Sequence, residues 1–243
     1  VKIVATGLHF SALNARIHEA LAAGEREFAL ENVLGQRYIG AGLGAGVTIE
    51  IDGVPGNDLA AFMNGAHIVV RDNCQDGTGN TMNAGRVVVE GDAGDIIGHS
   101  MRGGEIFVRG SVGYRAGIHM KAFHDRFPAL VIGEEAGEYL GEYMAGGILA
   151  VLNVTGRKAS PVGEYVGTGM HGGVIYVRGT VEPYQLGAEV GVESLRDEDW
   201  NSLRAVLGEY CRDLRLEVDT FQPDDFIKLF PKSTRPYGRL YAY

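Results

Sequence analysis

The methionines of this chain keep a phase. All six, Met63, Met82, Met101, Met120, Met144 and Met170, stand at steps of 19, 19, 19, 24 and 26 residues. The last two steps exceed 19 by five and seven, so those two units carry insertions. Nineteen residues before Met63 stands Gly44, where the surrounding pattern holds without methionine. A unit this short cannot bury an apolar face alone, and it does so by stacking on copies of itself.

The columns counted from each methionine say how the units stack. Five residues after stand Ile49, Ile68, Val87, Ile106, Leu130, Leu149 and Ile175. Seven residues after stand Ile51, Val70, Val89, Val108, Ile132, Val151 and Val177. Both columns are wholly aliphatic and two residues apart, which is the period of a strand. A looser apolar column, Leu59, Thr78, Ile97, Ala116, Leu140 and Val166, lies four residues before the methionines. Gly79, Gly98, Gly117, Gly141 and Gly167 recur three residues before them. Glycine there supplies corners or close backbone approach without steric cost.

These columns predict an all-β, right-handed parallel β-helix of about seven coils with flanking N- and C-terminal helices. At a strand spacing of ~4.8 Å the rod is about 34 Å long. Methionine then stands over methionine, an adaptable filler for a narrow core column. We divide the chain into an N-terminal arm with a short helix (1–30), the β-helix (31–191), and a C-terminal helix with an extended tail (192–243).

Two outward columns test the stacking. Eight residues after the methionine phase come Asp52, Arg71, Glu90 and Arg109, whose alternating signs suit a ladder of neighbours. Six residues after come Glu50, Val69, Val88, Phe107, Val131, Ala150 and Tyr176, an apolar stripe on what is the outer face. Such a stripe needs a cover. Either a terminal helix lies on it or a partner protein does, so Val69, Val88, Phe107 and Tyr176 are candidate interface residues.

The ends and the insertions supply further elements. Residues 10–24 predict a short helix capped by Ser11 or Asn14 and stopped at Gly24. Residues 192–213 predict a second, with Asp197 or Asp199 near its start and Leu203, Val206, Leu207 and Tyr210 on one face. The proline-rich, aromatic tail 221–243 is expected to be extended and to wrap a surface, because the tips of a β-helix expose unpaired edges. The insertion Lys121–Phe127 carries Phe123 and Phe127 and is expected to be a contact loop.

Chemistry is sparse. The run Gly40-Ala41-Gly42-Leu43-Gly44-Ala45-Gly46 precedes a strand, VTIEI, whereas cradling phosphate requires a helix N-terminus. His99, His119 and His171 lie beside methionines on different coils but in different phases. Asn57, Asp76, Asp95, Glu138 and Glu164 form a polar column that reads as a solvated face, with a cation or a basic partner as the alternative. No serine–histidine–carboxylate set, cysteine–histidine pair or metal spacing stands out, so we assign no catalytic, cofactor or metal residue. A net charge of −9 argues against nucleic acid and anionic membrane as partners. No apolar run approaches the ~18 residues of a membrane span, and no secretory signal is expected. Two cysteines make no disulfide framework, and we expect a cytoplasmic protein. Asn153-Val154-Thr155 fits a glycosylation sequon by chance.

GTGMHGGVIYVRG at 167–179 and GDAGDIIGHSMRGGEIFVRG at 91–110 resemble the GXGXG β-helix domain that ends the large subunit of glutamate synthase. LNARIHEAL at 13–21, VTIEIDGVPGNDLAAFM at 47–63 and FIKLFPKS at 226–233 are similar to further segments of that family, so the resemblance spans roughly residues 8–235. It implies a stand-alone, non-catalytic docking subunit of a complex that makes glutamate from glutamine-derived ammonia and 2-oxoglutarate. A glutaminase and an FMN-binding synthase would be its partner subunits, with FMN and an iron–sulfur cluster held there and not in this chain. A homo-oligomer is compatible with the same surface. The β-helix subunits of N-methylglutamate synthase and formylmethanofuran dehydrogenase resemble the same coils and are the alternative reading.

Overall fold

The computed structural model describes residues 1–234, so the last nine residues of the predicted tail lie outside the described part. Eleven strands form one sheet. β1 (Lys2–Val4) precedes helix α1 (Phe10–Ala22) and β2 (Glu27–Leu34). Then come β3 (Thr48–Val54), β4 (Asn64–Val70), β5 (Ala84–Val89), β6 (Glu105–Val108), β7 (Ala129–Ile132), β8 (Ala145–Val151) and β9 (Gly172–Arg178). β10 (Val190–Ser194), α2 (Asp197–Leu214) and β11 (Phe226–Pro231) complete it.

β1 to β9 run parallel in sequence order. The register is the one the columns predict: Ile49 pairs with Ile68, then Val87, Ile106, Leu130, Leu149 and Ile175. Seven stacked strands, β3 to β9, are separated by about six turns of a right-handed parallel β-solenoid. The boundary drawn at residue 30 falls inside β2, whose Phe28 pairs with Ile49, so the arm is continuous with the rod. A second side of each coil is marked by single parallel bridges from Cys74 to Ala93, Val112, Ala136 and Val162.

All six methionines are buried, along with both aliphatic columns. The residue stacked beneath Met63 is Leu43 rather than Gly44. The Asn64 amide donates to Leu43 O as the Asn83 amide donates to Met63 O, and Leu43 is buried. The first turn is therefore one residue longer, and the glycine run is that turn. At Gly40, with φ +73°, a Cβ would lie 2.4 Å from Ile68 Cδ1, so any larger residue would make that side chain shift as well as strain the backbone.

The third side of each coil is an unusual turn in which every second residue has positive φ. In one coil these are Asp58, Ala60 and Phe62; in the next, Gly77, Gly79 and Thr81. Amides of successive positive-φ residues point in opposite directions along the rod, and the amide between them bonds within the turn, as Asn80 does to Gly77 O. The Gly79 amide donates back to Leu59 O at 2.8 Å, while the Thr81 amide donates forward to His99 O at 2.7 Å. This ladder offsets the cost of left-handed backbone at non-glycine residues.

The ends are closed differently. At the first, α1 buries Leu13 and Ile17, and its N-cap is His9, whose ring nitrogen accepts from the Ser11 amide, instead of Ser11 or Asn14. Asn14 instead donates to Arg37 O at 2.9 Å. At the second, the predicted wrapping segment is a strand: β11 pairs antiparallel with β9, and β10 antiparallel with β11. Reversing direction stops the parallel stack, which otherwise offers an edge to further strands. The second helix begins at Asp197 rather than 192, because 190–194 is spent in β10.

Candidate functional site

The apolar stripe is covered from within the chain. Val88, Phe107, Val131, Ala150 and Tyr176 are buried, with Val69 half-buried, in a second core formed with Leu203, Leu207, Tyr210, Cys211 and Leu214 of α2 and with Phe221 and Phe226. Phe107 meets the Tyr210 ring edge-on, with centroids 5.7 Å apart. This corrects the interface role considered for Val69, Val88, Phe107 and Tyr176: their side chains are occupied by α2, the helical cover of the two expected. Arg86 fastens the same helix, pairing with Glu105 on the sheet, Glu209 at 2.8 Å and Asp213 at 2.9 Å. Sequence offers no signal for that anchor, since its helix partners lie over 120 residues away.

The charge ladder is half realised. Arg71 pairs with Glu90 at 2.6 Å, but its other partner is Glu50 rather than Asp52. Arg109 turns to the end of α2 and donates to Leu214 O at 2.6 Å. The acidic column caps backbone: Asp76 accepts from the Asp95 amide and Asp95 from the Tyr114 amide, at 2.9 and 3.0 Å. That uses one carboxylate oxygen per coil and accounts for stacked like charges. Among the described residues no group of histidine, cysteine or acidic side chains could hold a metal ion. Burial pushes the Cys74 thiol up to about 12 and the Cys211 thiol up to about 11, so neither is a thiolate at neutral pH.

Two features face outward. The first is the insertion 121–127, on which Phe123 and Phe127 are 48% and 68% exposed. The second is the turn face, which α2 does not reach. Here the structure brings together side chains of consecutive coils. His99 and His119 rings lie edge to face at 6.1 Å, and His119 stacks on Tyr143 at 5.3 Å. Desolvation, followed by the neighbouring His119, lowers the pKa of His99. Beside this stack is a cavity of about 290 Å³ lined by Ser100, Arg102, His119, Lys121, Tyr143 and His171. These residues flank the methionine column on successive coils, one residue before it or one after. No carboxylate lines the cavity. Glu142, the nearest acid in sequence to Tyr143, is paired with Arg115 at 2.8 Å. The Arg102 Nε is buried and has no hydrogen-bond partner. Sequence reading named His119 and His171 but missed Arg102 and Lys121, whose only signal is that both stand one residue after a methionine.

Comparison with known proteins places this geometry. An uncharacterized protein of Methanocaldococcus jannaschii is 46% identical over 251 residues, covering 100% of this chain and 96% of that protein. A chain in the X-ray crystal structure of the formyltransferase/hydrolase complex from Methylorubrum extorquens, in complex with methylofuran, shares the fold. Its TM-score is 0.62 at 19% identity, over 81% of this chain and 70% of that one. This finding overturns the expected place in glutamate synthesis: the solved complex that shares the fold carries formyltransferase and hydrolase components. The nitrogen-metabolism reading, with its glutaminase and FMN-synthase partners, is set aside. Among the described residues no helix is long and apolar enough to cross a membrane. The family model described as the GXGXG motif matches residues 17–232, and its alternating glycines are those of the left-handed turn, as in Gly77-Thr78-Gly79; the chain belongs to the GXGXG family.

Proposed function

We propose that this chain is an architectural subunit of a multi-subunit complex of the formyltransferase/hydrolase type. The observation that carries this reading is the likeness of fold, over 81% of the chain, to a component of such a complex. The covered strand face and the closed ends leave a rigid rod, which suits holding other subunits at fixed separation. Phe123 and Phe127 are its docking side chains. Two exposed aromatics on one loop give large contact area for little side-chain entropy. The buried free thiols Cys74 and Cys211 fit a reducing, cytoplasmic setting.

The test is native purification from the source cell with mass spectrometry of what co-elutes. Formyltransferase- or hydrolase-like chains in fixed stoichiometry support the proposal. Elution alone, or as a homo-oligomer only, overturns it. Replacing Phe123 and Phe127 together by alanine should abolish co-elution while leaving thermal unfolding of the free chain unchanged.

A further inference from the structure

The geometry points to an anion-binding site on the turn face, in the cavity between Arg102 and Lys121. Its ligand is a small molecule bearing a phosphate or carboxylate group. This goes beyond the architectural reading and does not depend on it.

Four observations converge. The chain as a whole is acidic, at −9, yet the lining of this cavity has an arginine, a lysine and two histidines and no carboxylate. A locally inverted sign inside an acidic protein focuses anions there. Second, Arg102 and Lys121 make no ion pair among the described residues, whereas Arg71, Arg86, Arg109, Arg115 and Arg178 of neighbouring coils are all engaged. Third, the Arg102 Nε is out of contact with solvent and has no partner. Arg102 as a whole is only partly buried and lines the cavity, and a guanidinium offers parallel donors to two oxygens of an anion held there.

Fourth, the placement of the groups is set by the solenoid. Arg102 and Lys121 occupy the same phase on consecutive coils, so their backbones are one strand spacing, ~4.8 Å, apart. The amides of the turn are spent on the ladder between coils, as with Ser100 to Ile118 O and His119 to Glu142 O, both at 2.9 Å. Recognition therefore falls to side chains: the Arg102 fork, the Lys121 ammonium, and the Ser100 hydroxyl as a further donor. The cavity is too small for a nucleic acid or a folded segment and fits a group of metabolite size.

The experiment uses the full chain. Inorganic phosphate and, separately, malonate are titrated in a chloride background, followed by calorimetry and by the arginine Nε–H resonances in nitrogen–proton NMR. The expected result is saturable binding that moves one Nε–H signal, the one missing in R102Q. R102Q and K121Q should each bind about tenfold more weakly or worse. K158Q, which alters a lysine paired with Glu135 elsewhere on the rod, should bind as the wild type does. Saturation by phosphate alone assigns a phosphate ligand, and by malonate alone a carboxylate; either supports the site. Absence of saturable binding by both anions overturns it, as does undiminished binding in K121Q, an exposed position whose substitution leaves the fold intact.

Discussion

The strand face and the turn face are built from the same coils, and they have opposite fates. On the strand face the outward column is apolar, and α2 lies across it, pinned by Arg86 and sealed by Phe107 against Tyr210. On the turn face the outward side chains are polar, aromatic and basic, and no helix lies across them: Phe62 is 59% exposed and Tyr165 44%. The difference teaches where this protein invests in stability and where it leaves chemistry available. A face used to bind its own helix is lost to partners, whereas a face whose amides are satisfied by a ladder leaves its side chains free for recognition.

The largest expected effect breaks the covered face. Phe107→Ala should cost about 3–5 kcal/mol in urea unfolding, because a large ring between sheet and helix leaves a cavity. A loss below about 1 kcal/mol would mean that α2 does not seal the stripe. Met101→Ala, in the core column shared by both faces, should cost about 2–5 kcal/mol, which tests whether the rod is as tightly packed beneath the turn as beneath the strand. Arg86→Met should cost about 1–2 kcal/mol, between the surface and buried ranges, since its ion pairs are partly exposed. Hydrogen exchange in α2 should rise in that variant while the turn amides stay protected.

A pH titration sharpens the same contrast. Desolvation lowers the pKa of His67 from 6.5, and hydrogen bonds from Arg86 and Arg212 lower that of Glu209 from 4.5. Both folded values lie below the unfolded ones, so the unfolded chain binds protons first as pH falls. Stability should be level between pH 6.5 and the unfolded thiol value of 9.0, decline below 6.5 as His67 is protonated on unfolding, and decline again below pH 4.5 as α2 loses Glu209. His67→Gln should flatten the upper limb only. The smallest effect belongs to the open face, where Phe62→Ala or Lys121→Gln should move stability by under about 0.5 kcal/mol.

Legibility follows the range of the interaction. Ile49 to Ile175 could be read as one column because each residue meets its own counterpart one coil away, and the chain repeats that relation at every step. The slip in the methionine column, Gly44 for Leu43, comes from a turn a single residue longer than the rest. His99 and His119 were placed on different phases, yet ring side chains reach across one phase between adjacent coils, and Tyr143, in the phase of His119, extends the stack. Arg102 gave no warning at all, since an orphaned donor is defined by neighbours and not by spacing.

By itself, then, the sequence determined the solenoid, its register, its methionine core and the need for a cover, because identical units stacked in order make long-range structure from local periodicity. Only the tertiary structure decided that α2 is that cover, that β11 turns antiparallel to end the stack, and that cations gather on the uncovered face. Those outcomes depend on contacts such as Arg86 with Asp213, between segments that share no repeat, and no period records which non-repeating segment will meet which face.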